Sequence, residues 1–159
     1  LLALILVSLT LSACGLKPLY SGGSTGAVAS TLGTVMVEPI AGKNGWLMRN
    51  ALNDRLGSAQ STSAKFRLVV ALDDQIEGFG VRADDTVTRE RRTLRARYQL
   101  ISLTTGETVL DATAGADAGI DVVSSEYATI ASENTALENL TQRVADQIVT
   151  RLSLYAGGE

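Results

Sequence analysis

The sequence contains no histidine and one cysteine, Cys14. Those two absences exclude a His-based catalytic triad, a Cys/His zinc cluster and an internal disulfide. Lysine is nearly missing as well: Lys17, Lys43 and Lys65 lie outside any Ser-Lys nucleophile pattern, so no catalytic group can be named. Basic residues do not predominate, since 14 Lys plus Arg face 17 Asp plus Glu for a net charge of -3. A general nucleic-acid-binding surface, which needs a basic balance, is thereby disfavoured, and no nucleic-acid partner is expected. What remains is 159 residues with 45% hydrophobic and 19% charged content, enough for one globular domain and a short extra segment.

Residues 1–11 form an almost unbroken apolar run. A transmembrane helix needs about 20 such residues, whereas a signal-peptide h-region needs roughly 7 to 15. Ser12 and Ala13 supply the small side chains a signal peptidase requires, and Cys14 follows directly. Leu11-Ser12-Ala13-Cys14 resembles the lipobox of bacterial lipoproteins, in which the cysteine sulfur is lipidated and becomes the mature N-terminus. The expected organisation is a partial signal over 1–13, a lipidated N-terminus and flexible tether over 14–33, a folded domain over 34–156 and a disordered tail over 157–159. Membrane attachment through several acyl chains, without crossing, follows from that reading. Gly15, in place of a retention-signalling Asp, points to the outer membrane.

Beyond the tether, which is read as such from its Gly, Ser and Thr content over 21–34, the periodicity alternates between two values. A short strand is expected over 34–38, ended by Pro39. Met48, Leu52 and Leu56 recur every four residues before Gly57, which predicts an amphipathic helix. Phe66, Leu68, Val70 and Leu72 then alternate, predicting a strand from about 65 to 77. Over 86–103, Leu94, Ala96, Tyr98 and Leu100 alternate with arginines, and a turn at 104–107 joins this strand to another period-two run over 108–116. From Ser124 or Ser125, Ile130, Leu137, Leu140, Val144, Ile148, Leu152 and Tyr155 make a helical stripe. Two one-sided helices and four strands predict an α+β two-layer sandwich, both helices on one face of a four-stranded sheet.

Three motifs fail on context. Gly78-Phe79-Gly80-Val81-Arg82-Ala83 matches a loose dinucleotide pattern, but no helix follows and Asp84-Asp85 put negative charge where a pyrophosphate would sit, so a bend or bulge is expected. Gly42-Lys43 lacks the remainder of a P-loop. Asp73-Asp74 and Asp84-Asp85 lack the interleaved spacing of a calcium loop, so turn polarity explains them, and neither a metal nor another cofactor is expected.

Arginine is the exception to this blandness. Arg82, Arg89, Arg91, Arg92, Arg95 and Arg97 crowd sixteen residues of an acidic chain. Alternate positions on a strand lie about 6.5 to 7 Å apart, and the guanidinium fork matches phosphate or carboxylate bidentately. Such a row suits a polyanionic ligand; a solvated face that discourages edge pairing is the other reading.

Cys14-Gly15-Leu16-Lys17-Pro18-Leu19-Tyr20 resembles the mature N-terminus of the LptE family of lipopolysaccharide-assembly lipoproteins, in its alphaproteobacterial form. Arg49-Asn50-Ala51-Leu52 with Leu56 is similar to the family's helix, with Met48 in place of the usual Leu. Ser125-Glu126-Tyr127-Ala128, with Ala131, Ala136, Leu140 and Ala145-Asp146, resembles its C-terminal helix. The resemblance implies a non-enzymatic outer-membrane lipoprotein seated as a plug in an LptD-like β-barrel, one to one, and serving lipopolysaccharide transport. It also implies that Arg89, Arg91, Arg95 and Arg97 contact lipopolysaccharide phosphates or, alternatively, the acidic lumen wall. An envelope carrier or an unrecognised enzyme is the reading from a different class.

Overall fold

Alternation of side chains decides where every strand of this protein puts its apolar residues, and the helices cover the side that collects them. In the computed structural model, residues 26–57, 63–81 and 87–158 are described. In chain order they form α1 (Ala27–Leu32), β1 (Val35–Val37), α2 (Gly42–Leu56), β2 (Phe66–Val81), β3 (Val87–Ser102), β4 (Thr108–Asp121) and α3 (Glu126–Gly157). The sheet order is β1-β2-β3-β4. β1 runs parallel to β2, with Val35 opposite Phe66, and α2 is the crossover that a parallel pair requires. The remaining pairs are antiparallel: Leu68 lies opposite Leu100, and Leu94 opposite Ala116.

Leu68, Leu94, Tyr98 and Leu100 point to one side and are buried against Met48 and Leu52 of α2 and Leu140, Val144 and Ile148 of α3. Full burial of a Leu or Ile side chain contributes about 1.5 to 3 kcal/mol, so this layer is the main source of stability. α2 and α3 run parallel to each other, since Lys43 donates to Asn134 at 2.8 Å and, one equal interval further along both helices, Arg55 meets Asp146 at 2.6 Å. Thr141 and Ser153 are buried in α3 and donate to the carbonyls of Leu137 and Val149, both at 2.8 Å, which offsets their desolvation. α3 begins at Ser125, whose hydroxyl accepts from the Ala128 N–H, and stops at Gly158, whose φ of 88° is the left-handed conformation that ends helices. No helix among the described residues is long and apolar enough to cross a membrane.

The α+β sandwich follows the sequence reading, with four differences. The stretch 21–34 is not a tether throughout: Ala27–Leu32 is helical, with Ser30 and Thr31 hydroxyls donating back to the Ala27 carbonyl, and Leu32 is buried. Averaged composition hid one apolar anchor placed before a Gly stop. The C-terminal helix runs further than expected, because α3 reaches Gly157 and Gly158 caps it, while Glu159 lies outside the described residues. β2 does not end before Gly78 but continues to Val81, with an irregularity where Gly80, at φ 75°, faces Thr88 and accepts its hydroxyl hydrogen at 2.6 Å. Ile130, read as part of the α3 stripe, is exposed, and Thr129 is buried in its place.

Among the described residues β4 has a neighbouring strand on one side only. Side chains of α3 reach over to it: Gln147 accepts from the Gly115 N–H at 3.1 Å and donates to the Gly115 carbonyl at 3.2 Å, while Arg143 donates to the Asp117 carbonyl at 3.4 Å.

Candidate functional site

Among the described residues the second face of the sheet carries no helix, and strand β3 places there the residues of odd number. Arg89, Arg91, Arg95 and Arg97 therefore stand on one open face in one row, as their alternation requires. Arg92 does not join them. Its even position turns it to the helix side, where Nε and Nη2 clasp Asp74 at 2.8 and 2.6 Å and Nη1 donates to the Glu133 carbonyl at 2.9 Å. That hydrogen-bonded pairing raises the Arg92 pKa against the opposing cost of burial. Asp73 and Asp74 are correspondingly split between the two faces, Asp73 accepting from Gln75 on the open one. Arg82, Asp84, Asp85 and Cys14 lie outside the described residues.

Three of the four arginines in the row already hold a carboxylate of β4. Arg89 meets Asp121 at 3.0 Å, Arg95 meets Asp117 at 3.2 Å and Arg97 meets Asp111 at 3.0 Å. The register produces this: β4 presents Asp111, Thr113, Gly115, Asp117, Gly119 and Asp121 beside the arginines of β3. Gln99 adds a donor to Asp111 at 2.8 Å and Thr93 one to Asp117 at 2.7 Å. The Arg97 and Gln99 hydrogen bonds lower the Asp111 pKa, and the Thr93 hydroxyl, followed by Arg95, lowers that of Asp117. Arg97 is raised in turn by its bond to Asp111.

Arg95 is held hardest. Its guanidinium lies across Gly115, where a Cβ would come within 2.8 Å of Nη1, and donates to the Leu94 and Ala116 carbonyls as well as to Asp117. Arg91 has no carboxylate within salt-bridge distance among the described residues; its guanidinium instead sits 5.4 Å from the centroid of the Phe79 ring. Because Arg95 and Arg97 lean toward β4, a depression of about 410 Å³ opens beside them over Ala71, with Asp73 on its rim. Among the described residues the face thus offers one guanidinium without a carboxylate partner, three shared ones and a small apolar floor.

Sequence reasoning placed the row but missed its anionic neighbours. The signal was present: Asp111, Asp117 and Asp121 all occupy odd positions of the strand paired to β3, so they share its open face. Phe79 and Gly115 carried no such sign, since their roles depend on register.

A family model described as LptE, lipopolysaccharide-assembly, matches residues 32–152. No curated protein matches the sequence. Among solved structures, a lipoprotein from Caulobacter crescentus CB15 is similar at a TM-score of 0.71 and 24% identity, over 84% of this chain and 100% of that one. The minor lipoprotein of Acinetobacter baumannii gives 0.63 and 13%, over 77% and 92%. The rare lipoprotein B of Shewanella oneidensis gives 0.59 and 8%, over 79% and 96%. At these identities the structural likeness is one of fold.

Proposed function

Because the chain belongs to the LptE lipopolysaccharide-assembly family, we propose that it acts as a non-enzymatic outer-membrane lipoprotein, anchored through Cys14, that forms a one-to-one complex with an LptD-like β-barrel. In that complex it plugs the barrel, assists its assembly and contributes to delivering lipopolysaccharide to the outer leaflet. The family match over 32–152 is the observation that carries this reading. The row of Arg89, Arg91, Arg95 and Arg97 supports a direct contact with lipopolysaccharide, whose phosphates suit the guanidinium fork.

A second reading for the same face is contact with the inner wall of the barrel. The exposed arginines favour it where that wall is acidic, because opposite charges across an interface fix its orientation.

The test is to express the full-length tagged lipoprotein in a Gram-negative host, extract outer membranes in mild detergent and identify what copurifies. A stable one-to-one complex with a large β-barrel is expected. Recovery of the lipoprotein alone, with barrel yield unaffected by its deletion, would remove the plug reading while leaving family and fold in place. Charge reversal at the four arginines separates the two uses of the face: loss of lipopolysaccharide binding with the barrel retained favours lipid, and the converse favours the wall.

A further inference from the structure

Exposed ion pairs are weak and exchangeable. Arg89 and Asp121 are 63% and 75% exposed, and Arg97 and Asp111 are 68% and 39% exposed, so water screens both pairs and either carboxylate can be displaced. A phosphate monoester carries a charge of about -1.5 to -2 at neutral pH and three acceptor oxygens, which makes it a better partner for a guanidinium than a single carboxylate. Arg91 differs from its neighbours in needing no exchange, since its partner is the Phe79 ring. Gly119, beside Arg91 in the register, has no atom of the described residues within 4 Å of where a side chain would begin, so none of them blocks the approach to this arginine from β4.

Resting on the reading of the arginine row as a lipopolysaccharide contact, we propose that Asp111, Asp117 and Asp121 are internal competitors for that row. A phosphorylated saccharide lipid head first engages Arg91, and further phosphates bind only by displacing β4 carboxylates from Arg89, Arg95 or Arg97. The carboxylates thereby limit how much each phosphate beyond the first adds to the affinity. A first phosphate meets Arg91, and a second, about 6.5 to 7 Å away per alternate residue along the strand, must outcompete an aspartate. Arg95 yields last, because two backbone carbonyls hold it in addition to Asp117. The depleted pKa values of Asp111 and Asp117 accord with this arrangement, as both stay ionised and competing throughout the neutral range.

The test titrates the full-length lipoprotein, in neutral-detergent micelles, with diphosphoryl lipid A and with its monophosphoryl form, and reads the apparent Kd calorimetrically. Asp111→Asn/Asp117→Asn/Asp121→Asn should bind the diphosphoryl form about 3- to 10-fold more tightly, with a smaller gain for the monophosphoryl form, so that the preference for two phosphates widens. A control with the same change in formal charge on other exposed surfaces, Asp54→Asn/Glu107→Gln/Glu138→Gln, should shift the Kd less than about 2-fold, because distant surface charges are screened. Arg91→Gln should weaken binding more than Arg89→Gln. Equal gains in the face and control variants overturn the proposal, leaving net charge as the cause, and so does an unchanged Kd in the face variant. Unchanged binding by Arg89→Gln/Arg91→Gln/Arg95→Gln/Arg97→Gln is a separate outcome, which removes the lipopolysaccharide reading itself. Circular dichroism establishes that each variant is folded, and Asp121→Asn alone, at the most exposed of the three carboxylates, repeats the measurement should the triple variant fail to fold.

Discussion

Replacing Arg92 by Met should destabilise the protein more than any change in the exposed arginine row, although the side chain differs from its neighbours in sequence by nothing but parity. Arg92 and Asp74 retain only 12% and 11% side-chain exposure, and three hydrogen bonds converge on the guanidinium. Removing one partner of a buried pair leaves an uncompensated charge and costs about 3 to 5 kcal/mol; residual exposure puts this case near the lower end, about 3 kcal/mol. For a chain of this size each kcal/mol lowers the melting temperature by about 2 to 4 °C, so Arg92→Met should lose about 6 to 12 °C. Arg92→Met/Asp74→Leu removes both charges and fills the space with apolar atoms, and should recover to within about 1 kcal/mol of the parent. Urea melts followed by circular dichroism measure all three chains. If the single variant loses less than about 1 kcal/mol, or the double melts no higher than the single, the pair is not a buried charge pair in the sense argued.

Other consequences concern the core and the titrating groups. Leu140→Ala, at a fully buried position, should cost about 2 to 5 kcal/mol in the same melts, whereas Ile130→Ala, at 47% exposure, should cost less than about 1 kcal/mol. Burial raises the Tyr98 pKa above its ordinary 10.0, partly opposed by Arg151. Tyr98 therefore contributes stability that is complete below about pH 10 and is lost as the pH rises through its higher folded value, so Tyr98→Phe should flatten the alkaline limb of a stability profile. Asp111 and Asp117 are lowered below their ordinary 3.8, with the opposite sign: their contribution is present above about pH 3.8 and is lost as the pH falls through their lower folded values. Asp111→Asn/Asp117→Asn should show a smaller drop in urea midpoint between about pH 5 and pH 2.5 than the parent.

The strands and the two long helices were legible because each residue repeats a local rule. Leu94, Ala96, Tyr98 and Leu100 alternate, and burial follows alternation. Leu137, Leu140, Val144 and Ile148 keep helical spacing, and all four are buried. Ile130 obeyed the same spacing and is nevertheless exposed, since periodicity cannot tell which part of a 32-residue helix has a sheet beneath it. Arg92 stood in the same crowded stretch as Arg91, yet only its parity, which needs the strand assignment first, turned it inward to Asp74. The arginine row was visible in one strand, while its neutralisation by β4 belongs to the register of two. α1 escaped notice because a single buried Leu32 among Ser, Thr and Gly carries too little apolar pattern to outweigh composition.

The amide of Gln147 occupies the place that a fifth strand would take. By giving one hydrogen bond to Gly115 and receiving another from it, a helix side chain imitates the backbone of a neighbouring chain and uses up the pairing capacity at the middle of the β4 edge. Arg143 takes one more carbonyl two residues on. On the β4 side the sheet is therefore latched against lengthening sideways: another strand can lie beside this edge without being knitted into it. A strand pairing with β4 at Gly115 must first displace the Gln147 amide and break both of its hydrogen bonds.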